Sequence, residues 1–534
     1  MDIENMPLAQ LIQSRAASVR TEPLLTFVGF DAQGEKQVAH RDYGTLWARG
    51  QALARALQAE GMKKGDRLAL MLQNHPEYVD AMVACAILGV VFVPVDPRTR
   101  GKKLRYMLDF VACKGIIAGE YCQAELAQVC ADLNHLEWMW IVGGPLQKTG
   151  CTQRVRPIPG DDNMTGAEIP IAVDRPDLPM QMLFTSGTTG DPKAILSSYA
   201  RYAAMCVRRP QMFGITPQDR MYTGLSLTHA NALCITLGAS LYCDIPAVIS
   251  QKFTKSRMWQ IIREHRCTTL NLLGGMFTAI HAEPPTPQDS DNPLRLVIGA
   301  GMPAQLWQAF ATRFGVAVLE FYGAAEGGSI VNPPGVGPIG SVGKPSPPVF
   351  AMILDENDEE CAPGVPGEIV LGYLDGSPMV VQYYDNPRAS AAKTRGGLLR
   401  MGDIGYRDAN GWFYFMHRQG GGLRRNGDFI SPGYIEKEIG EHADVDDVFV
   451  YGVASDSGAA GEKEVVAAIV PTDPARFCAA SLLEHCVARL ERNHIPAYLQ
   501  IVDSIPKTAS EKPLERVLIE QFDVAAGNVI AFSS

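Results

Sequence analysis

The sequence predicts an α/β fold: a large N-terminal domain of α/β subdomains plus a small β-rich subdomain, then a small α+β C-terminal domain. Three observations point there. From Tyr43 to Ala118 helical and strand patterns alternate, and the same rhythm returns between Met221 and Glu320. From Ala351 to Tyr384 short strand patterns are separated by turns. A glycine-rich joint, Gln419-Gly420-Gly421-Gly422, then leaves a last segment of about one small domain's length. At 534 residues the chain exceeds one ordinary core.

In order, Tyr43–Glu60 carries Leu46, Leu53 and Leu57 at helical spacing and stops at Gly61. Leu68–Leu72 reads as a buried strand, Tyr78–Leu88 as a helix, and Val90–Val95 as a strand ending at Asp96-Pro97. Strand, helix and strand in quick succession imply parallel sheet with crossover helices. The same α/β rhythm continues through Met221–Leu225, Met258–His265, Thr268–Leu273, Leu296–Ile298 and Val316–Glu320. The stretches Arg154–Leu178 and Glu283–Pro293 are rich in Pro and polar residues and read as breaks in it.

Composition narrows the function classes. A net charge of −10 opposes non-specific binding to nucleic acid or anionic membrane. The 12 cysteines are scattered without a C-x-x-C pair and are expected to be reduced thiols. The N-terminus lacks a basic start and apolar run, and Ala81–Val95 is too short to cross a bilayer, so a cytoplasmic location is expected.

One segment carries chemistry by itself: Thr185-Ser186-Gly187-Thr188-Thr189-Gly190-Asp191-Pro192-Lys193. Glycines let backbone N–H groups turn inward around an anion, hydroxyls add donors, and Lys193 adds a point charge. That set suits a triphosphate. It is not the P-loop pattern, because Asp191-Pro192 separates the second glycine from the lysine.

This segment resembles the phosphate loop of the adenylate-forming superfamily: acyl-CoA synthetases, adenylation domains and firefly-type luciferases. The likeness continues in order from Tyr43 to Lys512. Phe321-Tyr322-Gly323-Ala324-Ala325-Glu326 is similar to Y-G-x-T-E. The resemblance implies that Tyr322 packs on adenine and that Glu326 helps hold Mg²⁺. Ala325 stands where the family has threonine. Gly299-Ala300-Gly301 resembles the family's adenine-pocket segment, and Met401-Gly402-Asp403 its T-G-D, with Asp403 accepting the ribose hydroxyls. Arg418 matches a ribose- or phosphate-contacting arginine, and Gly427 the glycine beside the thiol channel. Gly421, between Gly420 and Gly422, occupies the hinge position usually held by Asp or Lys. Pro506–Lys512 resembles P-[KR]-T-x-[ST]-G-K, with Glu511 in place of glycine and Lys512 as the catalytic lysine.

The resemblance implies an N-terminal AMP-binding domain over 1–418 and a mobile C-terminal domain over 419–534 that swivels between two steps. Attack of a carboxylate on the α-phosphorus of ATP gives an acyl-adenylate, and coenzyme A then takes the acyl group. ATP, Mg²⁺ and CoA are the expected cofactors and co-substrates. His229 matches a ring that lies beside the substrate carboxylate and gates it. No acidic residue occurs in Leu225–Ala232, which disfavours an amino acid substrate. Gly274, Gly275, Met276, Ala324, Gly327 and Gly328 are expected to line a small-residue, mostly apolar substrate pocket. Those pocket segments contain no fixed cation, which suggests a bulky or extended apolar acid. The nearest likeness is to fatty-acid and carnitine-type CoA ligases. Two alternatives stay open: a free-standing adenylation enzyme that loads a carrier protein, and a catalytically weakened nucleotide-binding homologue. A luciferase-like oxidation is more distant.

Overall fold

The computed structural model describes residues 3–18, 23–31, 33–147, 150–160, 166–185, 192–419, 423–455, 462–506 and 513–532. Its large N-terminal part is built on two mixed sheets. The nine-stranded sheet runs Lys344–Pro345, Gly327–Asn332, Ala317–Ala324, Leu296–Ala300, Thr269–Leu273, Met221–Thr223, Ala247–Ser250, Leu25–Phe30 and Lys36–Arg41. Its interior strands pair in parallel and its outer pairs are antiparallel. The seven-stranded sheet runs Arg154–Pro157, Trp138–Val142, Cys113–Gly119, Arg67–Met71, Val91–Pro94, Pro179–Thr185 and Lys193–Ser198. Only its last pair is antiparallel, and this hairpin brackets the 185–193 segment.

One hydrophobic core takes side chains from both sheets and from the helices Tyr43–Ala59, Pro76–Leu88 and Tyr199–Met212. The first of these helices starts at Asp42, whose carboxylate accepts the Thr45 N–H at 2.7 Å. Pro76–Leu88 has proline in its first turn and is buried from Tyr78 to Leu88, which explains its nearly unbroken apolar sequence. Tyr199–Met212 is capped by the Ser198 hydroxyl and contains Pro210, which cannot bond the Cys206 carbonyl; the Cys243 thiol donates to that carbonyl instead, at 3.8 Å.

A four-stranded antiparallel sheet, Val349–Leu354, Gly367–Tyr373, Leu399–Arg407 and Phe413–Arg418, forms the β-rich subdomain. The small C-terminal domain begins with a hairpin, Leu423–Arg425 with Asp428–Ile430. It continues with a four-stranded sheet, Val445–Ala454, Lys463–Pro471, Tyr498–Ile501 and Val529–Ala531. Helices Pro432–Ile439 and Ala479–Arg489 accompany that sheet.

Two expectations need correction. The proline-rich break after Arg154 starts with an edge strand, Arg154–Pro157, on the parallel sheet; an edge tolerates Pro157 because one side needs no ladder partner. Cys130 and Cys151 are joined by a disulfide, their Cα atoms 5.8 Å apart, so two of the cysteines are not thiols. Sequence spacing could not reveal the pair because the fold, not the chain, brings them together. Among the described residues no helix is long and apolar enough to cross a membrane.

Candidate active site

A cavity of about 950 Å³ lies between the C-terminal ends of the nine-stranded sheet's strands, the β-rich subdomain and the C-terminal domain. At one side three predicted residues meet. Asp403, on strand Leu399–Arg407, is buried and accepts hydrogen bonds from the Tyr322 hydroxyl and, at 2.5 Å, from Arg418. Asp403 and Arg418 face each other across adjacent antiparallel strands. Burial, reinforced by Asp403, pushes the Tyr322 phenol well above its ordinary value, so it stays a donor. A second chain starts at Glu326, whose Oε1 accepts the Tyr383 hydroxyl at 2.8 Å. The Lys193 ammonium lies over the Tyr383 ring, 5.6 Å from its centre. Thr185 and Lys193 face each other at the base of their hairpin. The other Glu326 oxygen has no partner among the described residues, leaving a hard oxygen donor at the cavity wall.

The loop at Gly299–Gly301 is shaped by a carboxylate that the motifs did not indicate. Glu320 is buried at 3% exposure and accepts the backbone N–H groups of Gly301 at 2.5 Å and Met302 at 3.1 Å. Burial raises its carboxyl to about 7, against the pull of those two bonds. Glu320 occupies the space a Gly299 Cβ would need, with Oε2 only 2.9 Å from that point.

The C-terminal hairpin docks directly on this region. Gly427, at φ +81, sits where an added Cβ would lie 2.9 Å from the Leu273 Cβ, so a side chain is excluded on two counts. Its N–H donates to Glu462 at 3.0 Å, and Arg424 donates to the Ala300 carbonyl at 3.4 Å. Arg98 bonds Asp96 and also reaches Asp428 of the hairpin at 3.0 Å. Asp96 in turn contacts His229 Nε2 at 2.8 Å. Burial acts against charge on both partners, yet hydrogen bonding holds Asp96 well below the usual carboxylate range and His229 above the usual imidazole one. A continuous polar line therefore runs from His229 through Asp96 and Arg98 to the C-terminal domain.

Of the residues predicted from sequence, Thr185, Lys193, Ala300, Gly301, Tyr322, Gly323, Ala324, Ala325, Glu326, Asp403, Arg418 and Gly427 all border the cavity. His229 does not, and its side chain is half exposed beside Asp96. Gly274 and Gly275 do not border it either: a Cβ on Gly275 would lie 3.1 Å from the Asn426 Cα, so they form the surface that receives the hairpin. Met276 belongs to the core, and Gly327 and Gly328 face Leu399 and Leu371 of the β-rich subdomain. Ser186, Gly187, Thr188, Thr189, Gly190, Gly420, Gly421, Gly422, Glu511 and Lys512 lie outside the described residues. Lys393, which bonds the Met401 carbonyl at 3.3 Å, and Arg209 also border the cavity without any sequence signal. The Asp96-Pro97-Arg98 corner was legible only as the end of a strand.

The family model described as AMP-binding enzyme matches residues 18–384, and that of the AMP-binding enzyme C-terminal domain matches 434–512. The chain is 28% identical over 494 residues to the medium/long-chain-fatty-acid–CoA ligase FadD17 of Mycobacterium marinum, covering 91% of this chain and 93% of the relative. It is 28% identical over 511 residues to the sulfoacetate–CoA ligase of Cupriavidus necator, covering 95% and 96%. Among solved structures, a double mutant of o-succinylbenzoate CoA synthetase from Bacillus subtilis, bound with a product analogue, superposes with a TM-score of 0.79 at 23% identity, covering 97% of this chain and 99% of that one.

Proposed function

The chain belongs to the AMP-binding enzyme family, and from that premise we propose that it is an AMP-forming acyl-CoA synthetase. It adenylates a carboxylic acid with ATP, releases pyrophosphate, and passes the acyl group to coenzyme A. The observation that carries this reading is the interdomain cavity in which Tyr322, Asp403 and Arg418 meet beside Glu326, Tyr383 and Lys193.

A carboxylate is a poor electrophile, because its leaving group would be oxide. Attack on the α-phosphorus turns it into a mixed anhydride, and this step needs positioning and charge neutralisation more than proton transfer. Asp403 exchanges its bonds from Tyr322 and Arg418 for the two ribose hydroxyls, a task fitted to a carboxylate with two acceptor oxygens. Arg418, released toward the cavity, can then meet phosphate oxygens. Lys193 brings positive charge to the same end, over Tyr383. Glu326, with one oxygen held by Tyr383 and one without a partner among the described residues, fits a hard divalent cation. Bound Mg²⁺ would neutralise charge on the departing pyrophosphate. Ser186, Gly187, Thr188, Thr189 and Gly190 are assigned to the triphosphate, and Lys512 to the adenylation step, on the resemblance of their motifs.

We assign the domain boundary to Gln419, immediately after strand Phe413–Arg418, and the hinge to Gly420–Gly422. Gly427 borders the route of the incoming thiol. A cytoplasmic location is proposed on the ten cysteines that remain thiols in the structure. The similar ligases are named for acids as different as fatty acids and sulfoacetate, so the family leaves the acid open.

The test is a pyrophosphate-release screen over a panel of carboxylic acids, run with ATP and Mg²⁺ and with or without CoA. Acid-dependent pyrophosphate and CoA-dependent thioester are expected. Thioester forming on a carrier protein in the absence of CoA, or ATP binding without pyrophosphate release from any acid, would overturn the reading.

A further inference from the structure

The helix Tyr199–Met212 carries three arginines, and two of them are accounted for. Arg208 turns outward to Glu4 at 2.8 Å. Arg201 donates to the carbonyl oxygens of Ala325, Glu326 and Val380. Arg209 borders the cavity, half-buried, and among the described residues its guanidinium has no oxygen partner; its one contact is the Met205 sulfur at 4.0 Å. A cation drawn partly out of water without a counter-ion is costly unless something in the cavity supplies the negative charge.

The position of this arginine is informative. Arg201, Met205 and Arg209 fall on one row of the helix, four residues apart. Arg201 grips the turn holding Ala325 and Glu326, so it marks the phosphate end of the cavity. Arg209 stands about 12 Å farther along the helix axis. Asn231 also borders the cavity; its side-chain oxygen accepts from Asn271 at 3.2 Å while its amide nitrogen has no partner among the described residues. The cavity lining also includes the small or apolar Leu273, Gly323 and Ala324. The cavity therefore offers small and apolar wall residues together with two side-chain donors, one of them a cation set along the helix from the reacting end.

We propose that Arg209 and the Asn231 amide bind a second oxyanion at the far end of the substrate, so that the acids activated are apolar-bodied chains ending in a carboxylate or sulfonate. This rests on the ligase reading above. It refines the expected apolar pocket: the pocket segments around Gly274–Met276 and Ala324–Gly328 do lack a cation, and the cation comes from a helix outside them.

The test compares acids of equal chain length that end in methyl, carboxylate or sulfonate, over a series of lengths, by pyrophosphate release with ATP and CoA. Wild type, Arg209→Met and Arg209→Lys are assayed side by side. Wild type should favour the oxyanion-ended acids by at least about tenfold in kcat/KM at one optimal length. That ratio should fall at least about tenfold in Arg209→Met, mainly through KM, and recover in part in Arg209→Lys. The proposal is overturned if wild type favours methyl-ended acids throughout, or if the ratio is the same in Arg209→Met as in wild type. If no acid of any ending releases pyrophosphate although calorimetry shows ATP binding, the ligase reading itself fails and takes the proposal with it. Turnover of methyl-ended acids alone separates the two failures.

Discussion

Glu320 joins the nucleotide site to the stability of the fold. Its carboxyl lies at about 7 in the folded protein against an ordinary 4.5. Between those two values the folded state holds the proton and the unfolded state has lost it, so stability falls as pH rises from about 4.5 to 7 and levels off above. Glu320→Gln keeps an acceptor for the Gly301 and Met302 N–H groups but cannot ionise. Denaturant melts of both proteins from pH 5 to 8 should therefore show the variant gaining on wild type by on the order of 2 kcal/mol as pH rises. Parallel profiles would mean that Glu320 does not change its protonation on folding.

At the scale of elements, the hairpin Leu423–Arg425/Asp428–Ile430 is linked to His229 through Arg98 and Asp96. While the hairpin is docked, Asp428 fixes Arg98, Arg98 fixes Asp96, and Asp96 holds the His229 ring away from the cavity. Asn493 also bonds Asp428, so both sides of the interface share one carboxylate. Arg98→Ala and Asp428→Ala should each slow thioester formation from supplied acyl-adenylate by about tenfold, and the double variant should slow it little further, because both break one line. Stopped-flow assays of the second step check this, and additive losses would rule out a shared line. Much of the supporting scaffold was legible in sequence, since Leu68, Val91 and Leu296 sit in strands whose apolar runs are local signals. The motif residues around Asp403 and Glu326 were legible through their order along the chain. The roles of Gly274 and Gly275 were not, because what covers them, Asn426 and Glu462, arrives from a different domain. Arg209 was invisible for a similar reason: only packing decides whether an arginine on an amphipathic helix faces water, as Arg208 does, or a cavity.

For the whole molecule, the question is how firmly the two domains are held together. Helix Gly101–Phe110 presents Lys102 to Glu441 and Lys103 to Glu491 of the C-terminal domain, the latter at 2.9 Å. The exposed pair, Lys102 with Glu441, is worth about 0–1 kcal/mol and weakens as salt shortens the screening length, whereas Lys103 with Glu491 is mostly buried and is screened less. The exposed pair can be broken and re-formed at little cost within a catalytic cycle. Lys102→Glu with Lys103→Glu should lower the rate of thioester formation several-fold at low salt, with the deficit shrinking toward high salt; a deficit independent of salt would point to lost packing instead.

The proposed mechanism asks one cavity to serve Lys512 in adenylation and a thiol in transfer, so the interface between the domains has to be re-formed between the two steps. In the structure the space beside Leu273 and Ala300 is taken by Gly427 and Arg424. Under the proposed mechanism the C-terminal domain brings Lys512 to the cavity for adenylation and re-docks for the transfer. Lys512→Ala should accordingly lose acid-dependent pyrophosphate release by about a hundredfold or more, yet convert supplied acyl-adenylate and CoA to thioester within a few-fold of the wild-type rate. Single-turnover measurements of the two half-reactions decide it. An equal loss in both would mean that one arrangement of the domains serves both steps, and the coupling of His229 to the hairpin would then have no catalytic transition to report.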